Sequence, residues 1–310
     1  MEFRPQLRSR ASAGPRILAA LLALTLFALL AALGTTALLL YHILGPHPAP
    51  ELSAQSLLGA PTNISFTVPS GETRQGLFYP GRRGGPVVIL CHGYHSHGRE
   101  LLTLSAVLQE NQYNVFLFNF SGHGSGRSFT SLGYREAEEL AAAIEAVAQR
   151  DDVDRSRLGL WGADLGAYAA LAVAARDPRV RVLVLDAVYE SPEEMLRFQV
   201  DHSGLGRVPA IQTLCRWGFR LVYSRYRHEP PLGLRMASLE GVAKLFVRAP
   251  GSSALDASAE RLFQRSPEPR EQMITAKAGY VSLLDSDKRA YEKNVLRLFL
   301  QYLPPVSRAR

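Results

Sequence analysis

Four short stretches of this chain are apolar with almost no interruption: PVVILC (86–91), VFLF (115–118, within YNVFLFNF), RLGLW (157–161) and VRVLVLDAV (180–188). A strand with one wet face alternates apolar and polar residues. These do not, so each must be covered on both faces. Between them lie segments with helical spacing: Leu101–Gln109, then LGYREAEELAAAIEAVAQR with Leu140, Ile144 and Val147 along one side, then Asp164–Ala175. Doubly buried strands alternating with helices predict an α/β fold, a mostly parallel central sheet flanked by helices. ISFTV and QGLFY add two strands before this series, VAKLFVRA and QMITAKA add two after it, and SDKRAYEKNVLRLFLQYL closes with a helix. From about 190 to 238 the rhythm breaks. PEEMLRFQV and IQTLCRWGFRLVYSRY contain no strand run, and the segment reads as a helical cap inserted over the end of the sheet.

The chain has 310 residues, 47% hydrophobic and 20% charged, enough for one sizeable core. Ile17–Leu40 carries no charge, and ~20 such residues span a bilayer as a helix. Residues 17–44 are therefore expected to be an uncleaved transmembrane anchor. A cleaved signal is the alternative, less favoured because its apolar part runs to only ~7–15 residues. Residues 1–16 form a basic head with Arg4, Arg8, Arg10 and Arg16 against Glu2, which predicts a cytoplasmic N-terminus and a body across the membrane. Residues 45–63, rich in proline and small residues, are expected to be a linker, and 64–305 the folded domain. The formal net charge is +7, but no stripe of Lys and Arg with interleaved aromatics accompanies it, so nucleic acid is not an expected partner. Two cysteines, Cys91 and Cys215, make no disulfide framework.

The residues that carry chemistry sit at the ends of the strands. LGLWGADLGAYAA places Asp164 between Gly162 and Gly166, on a strand–turn–helix of the pattern G-x-D-x-G. HGYHSHG follows the PVVILC strand, and NFSGHGSGRSFTSLGYREAEEL follows the next. AGYVSLLDSDKRAYEKNVLRLFL precedes the chain's end. In this order the segments resemble the α/β-hydrolase family over about Val87–Leu303, with bacterial membrane-anchored members of the serine-aminopeptidase-like and acyl-esterase-like group nearest. The resemblance implies an ester, thioester or amide hydrolase built on a serine, a histidine and an acid. It places the nucleophile position at Asp164 and the histidine position at Tyr280. The acid position falls in VRAPGSSALDAS, at Ser252 or Ser253, with Asp256 a few residues late. It further implies an oxyanion hole from the N–H groups of Tyr94 and Leu165, on a scaffold of His92, Gly93, Gly162 and Gly166.

These substitutions favour a non-catalytic or impaired member that binds a small acyl or lipid-like ligand, or a protein partner at the cap. The alternative is an active hydrolase with a base from another loop, for which His95 is the candidate. That includes an aspartate-nucleophile route of the dehalogenase or epoxide-hydrolase kind, in which a histidine must activate water on the ester intermediate. Asp164 is expected to be kept ionised by the Tyr94 and Leu165 N–H groups, or simply to cap its helix. His92, His95, His97 and His123 have no ligand-type spacing, so neither metal nor cofactor is expected. Arg127 and Arg135 are expected to pair with Glu136, Glu138 and Glu139.

Overall fold

A computed structural model describes residues 13–48, 60–124, 128–251, 254–275 and 279–306. Eight strands form one sheet: β1 (Thr62–Thr67), β2 (Thr73–Tyr79), β3 (Gly85–Cys91), β4 (Asn114–Phe118), β5 (Val153–Ala163), β6 (Val180–Asp186), β7 (Ala243–Arg248) and β8 (Arg270–Ile274). Their order is β1-β2-β4-β3-β5-β6-β7-β8. β1 and β2 pair antiparallel with each other, and β2 pairs antiparallel with β4. Every pair from β4 to β8 is parallel.

Double burial accounts for the unbroken apolar runs. Val87, Ile89 and Cys91 of β3 face one layer, with α3 (Tyr134–Ala148) and α4 (Leu165–Ala174). Val88 and Leu90 face the other, with α2 (Leu102–Glu110) and α8 (Asp285–Tyr302). The cap is helical as expected: α5 (Pro192–His202) and α6 (Pro209–Val222), then short 3₁₀ turns to Leu239. α7 (Ala254–Arg265) joins β7 to β8.

The N-terminal helix α1 (Ala13–Leu44) is continuous, and Gly14–Leu44 is long and apolar enough to cross a membrane. Its last two turns do not stand apart. Leu39, Ile43 and Leu44 are buried in the same cluster as the cap, and α1 packs on α6 and α5. The linker expected from residue 45 also begins packed. The His47 N–H donates to the Gly122 carbonyl at 2.6 Å, and only 49–59 of it lie outside the described residues. Composition misleads there because Gly45-Pro46 merely ends the helix, while His47 finds a polar partner at the sheet's rim.

Candidate functional site

At the carboxyl end of β5 the chain turns sharply into α4, and Asp164 sits on the turn with φ 47° and ψ −112°. A non-glycine residue in that region costs on the order of 1–3 kcal/mol and persists only where its surroundings impose it. Here they do. The Asp164 N–H donates to the Asp186 carbonyl at 2.9 Å, and the Asp164 carbonyl accepts the Tyr168 N–H at 2.9 Å. Gly166 lies directly against the carbonyls of Cys91 and His92, where any side chain would collide with backbone. The positive φ throws the carboxylate toward Gly93, where a Cβ would stand 2.6 Å from its Oδ2. The Tyr94 N–H donates to that carboxylate.

This corrects two expectations. Asp164 occupies the helix cap position, but its side chain caps nothing. Among the described residues Tyr94 is the backbone donor to its carboxylate, and Leu165 is not. A third expectation fails with them. Burial, and then the nearby Asp186 carboxylate, push Asp164 up to about 7, and the Tyr94 N–H only partly offsets them. The balance at Asp164 is therefore shifted toward the protonated acid, against the expectation that its donors keep it ionised.

Tyr280, at the histidine position, does not present its hydroxyl to Asp164. Its side chain is fully buried against Trp161 and Tyr291, and the hydroxyl donates to Glu292 Oε1 of α8 at 2.6 Å. Burial, reinforced by the Glu292 carboxylate, raises its pKa further above its already high ordinary value. What joins this loop to the elbow is Asp186, at the end of β6, which the sequence reading passed over. Its Oδ2 accepts the Tyr280 N–H at 2.9 Å and the Tyr291 hydroxyl at 3.1 Å, and the Gly279 N–H also donates to this carboxylate. Tyr291 in turn accepts the Trp161 indole N–H at 3.0 Å. Burial raises Asp186 to about 6 despite these three donors. A signal was present: like Asp164, Asp186 closes an apolar run, at a strand's carboxyl end where sites form in such sheets.

Asp256, expected near the acid position, lies in the first turn of α7 and makes a two-pronged ion pair with Arg248, at 2.9 and 2.8 Å. With both oxygens held by an arginine it orients no histidine. Ser252 and Ser253 lie outside the described residues.

The histidines gather on the other side of the elbow. His92 is structural: its Nε2 accepts the Phe120 N–H at 2.9 Å, and Nδ1 donates to the Gly93 carbonyl at 2.9 Å, tying β3 to β4. His95 lies with its ring centre 4.1 Å from Tyr94 and 4.0 Å from His47, the residue just past α1. Burial, then His47 and His42, lower His95 to about 4, so it is neutral at pH 7. Among the described residues no hydrogen bond joins any histidine to the Asp164 carboxylate, so His95 is not brought into place as its base. Nor is any group of three or more His, Cys, Asp or Glu side chains among them arranged to hold a metal ion. The expected arginine pairs also differ. Glu136 binds Thr130, Ser131 and Gly133, and Glu139 binds Ser121. Arg135 donates to the Phe129 carbonyl, while Arg127 lies outside the described residues.

A groove of 780 Å³ runs between α3 and α4, walled by Tyr134, Tyr168 and Tyr226, and neither Asp164 nor Tyr280 lines it. Its arginines are already paired, Arg176 and Arg235 with Glu229 and Arg179 with Asp177.

Three comparisons place this architecture among known proteins. The uncharacterized protein YfhR of Escherichia coli (strain K12) is 26% identical over 250 residues, covering 75% of this chain and 82% of that protein. The thiohydrolase apmlB of Arthrinium phaeospermum is 26% identical over 132 residues, covering 41% of this chain and 43% of that protein. The Pyrococcus furiosus esterase Pf2001 superposes with a TM-score of 0.65 at 16% identity, over 84% of this chain and 98% of that one, a likeness of fold. The family model for the alpha/beta hydrolase fold matches residues 86–296, which takes in β3 to β8, the elbow, the cap and most of α8. On that match, the chain belongs to the α/β-hydrolase fold family.

Proposed function

We propose that this protein is a single-pass, membrane-anchored α/β-hydrolase-fold protein whose elbow does not carry out serine-type acyl transfer and which acts by binding. The ligand is a small acyl or lipid-like molecule, or a protein partner at the cap. The observation that carries this reading is the Asp164 carboxyl on the Tyr94 N–H. It sits where an oxyanion hole would receive substrate oxygen, so the site supplies its own oxygen to its own donor. Acyl transfer also needs a group to take the nucleophile's proton, and the Tyr280 hydroxyl is committed to Glu292. The retained anchor is supported by the last turns of α1, since removing them would uncover Leu39, Ile43 and Leu44. The arginines ahead of the span favour a cytoplasmic N-terminus and a body across the membrane.

The test is a fluorophosphonate probe with intact-mass analysis, run beside an active esterase. The native chain is expected to show no adduct and no ester or thioester turnover. Asp164→Ser alone is expected to stay nearly inactive, because members of a catalytic triad act as a unit. A stoichiometric adduct on any serine, with turnover lost on blocking it, would overturn the reading. Protease added outside sealed cells should digest the body, and protection of residues after Ile64 would reverse the topology.

A second reading is favoured by the strain kept at Asp164. A carboxylate held at that turn is aimed as an attacking group, as in an aspartate-nucleophile enzyme of the dehalogenase or epoxide-hydrolase kind. Incubation with haloalkanes and epoxides distinguishes the two. Release of halide or diol, or a mass increase mapped to Asp164, supports this second reading, and the absence of both supports the first.

A further inference from the structure

α6 has four distinct sides. Ile211, Cys215 and Phe219 point into the core. Next around the helix, Gly218 abuts α1, where a Cβ would stand 2.6 Å from Leu40 Cδ1. Beyond that seam Trp217 is 69% exposed and Leu221 78% exposed. Completing the circuit, Arg216 and Arg220 are exposed, with Arg207 just before the helix. Arg220 faces Glu193 at 3.7 Å, while Arg216 and Arg207 have no ion pair among the described residues. A water-facing Trp and Leu one turn apart, bordered by unpaired arginines, is the composition of a helix lying in a lipid interface.

Its position along α1 points to the same surface. Apart from half-buried Ala32, α1 is exposed from Gly14 until its first buried residue, Thr36. At ~1.5 Å per residue that exposed stretch matches a hydrocarbon core of ~30 Å. The lipid boundary then falls at the turn where α1 meets the domain, one turn short of the Leu40–Gly218 contact. Tyr41 on α1 is also exposed at this level, and Tyr and Trp favour that depth.

We infer that α6 lies in the headgroup layer of an anionic phospholipid leaflet, with Trp217 and Leu221 inserted beside the span and Arg216 and Arg207 against lipid phosphates. This rests on the anchoring read above. The cap would thereby be a second point of membrane contact, fixing the rotation of the domain about its span.

The chain has two tryptophans, and Trp161 is buried, so Trp217 is an isolated reporter. Full-length protein is placed in nanodiscs of phosphatidylcholine and phosphatidylglycerol, with bromine on the upper acyl carbons of the phosphatidylcholine. Trp217 is expected to lose the larger part of its emission to bromine and to resist aqueous acrylamide. Trp217→Phe, which keeps Trp161, is expected to lose almost none. Arg207→Glu with Arg216→Glu should weaken the bromine effect in anionic discs. A chain that enters the disc while Trp217 is quenched by acrylamide and not by bromine would overturn the docking and leave the anchor standing. A chain recovered outside the discs would overturn both. Equal bromine quenching without phosphatidylglycerol would overturn the role of the arginines.

Discussion

Asp164 stands between two walls that are built by different physics. On the β3–β4 side the wall is held by the end of α1: the Tyr94 hydroxyl donates to the Ile43 carbonyl at 2.8 Å, and the Thr130 N–H donates to the Leu44 carbonyl at 2.9 Å. Those acceptors are in place because Leu39, Ile43 and Leu44 are buried, so this wall depends on apolar area supplied from outside the sheet. On the β6–β8 side the wall is held from within, by the Asp186 carboxylate gathering Tyr280, Gly279 and Tyr291. The first wall uses a nondirectional force and has slack in its details. The second depends on a few donors in fixed directions, and a single atom's loss disturbs all of them.

The largest test of this contrast is deletion of residues 1–44. Burying a large aliphatic side chain contributes ~1.5–3 kcal/mol, and three are lost together. We expect a fall in stability of several such increments, measured by urea unfolding in a mild detergent. Hydrogen exchange should accelerate at the Tyr94 and Thr130 amides before it does at Tyr280. Equal acceleration on both sides would show that the walls are not independent.

Tyr280→Ala should cost about 3–5 kcal/mol, as for other fully buried aromatics, and should leave the Tyr94 amide protected. Tyr280→Phe, which keeps the ring and loses the bond to Glu292, should cost about 1 kcal/mol. Asp186→Ala comes next. It strands three donors, each worth ~1–3 kcal/mol when left unpaired, but also removes a costly buried carboxylate. A net loss of about 2 kcal/mol is expected, with faster exchange at the Tyr280 amide. A neutral outcome would mean that the β6–β8 wall is held by packing like its neighbour.

A different kind of readout belongs to Asp164→Asn, which is best followed against pH. The folded chain holds Asp164 near 7, against 3.8 for the free group. Between those values the folded state keeps a proton that the unfolded state has lost, so stability falls as pH rises through this window. Asp186 and Glu139, raised to about 6 and about 7, have the same sign. His92 and His95, lowered to about 4, have the opposite sign below 6.5. The difference between variant and native chain is therefore the readout. Asp164→Asn should gain on the native protein as pH is raised from about 4 to about 7, and then level off. A difference flat in pH would show that Asp164 is ionised throughout.

The sheet could be read from the sequence because burial on both faces leaves no polar positions to confuse the pattern, as in Val87–Cys91. The elbow could be read because two glycines at fixed spacing answer a steric demand that only glycine meets. The walls were far less legible. Asp256 is near the expected place for an acid, but nothing local reveals that Arg248 holds both its oxygens. Tyr280 looks like an exchange at a catalytic position, yet it packs against Trp161 from a strand more than a hundred residues earlier, and its hydroxyl goes to Glu292 on the following helix. His47 sits in a stretch whose composition reads as a tether, and only the path of α1 brings it to His95. Motif spacing encodes backbone geometry, whereas the company a side chain keeps is decided by topology.

The order of synthesis gives the end of α1 one more consequence. α1 is made before the other described elements, and its partner Gly218 on α6 follows more than half a chain later. Leu39, Ile43 and Leu44 must therefore wait, unpaired, while the sheet is translated. Closing so long a loop comes at a high entropic cost and is favoured only once both ends are already structured. α1 can form and the strands pair before the two meet. The docking of α6 on α1 then belongs among the last steps of folding, and on the proposed anchoring it takes place at the bilayer. A chain stalled before that step would carry an exposed apolar ledge and an unsupported Tyr94 loop, the features by which quality-control proteases find unfinished proteins.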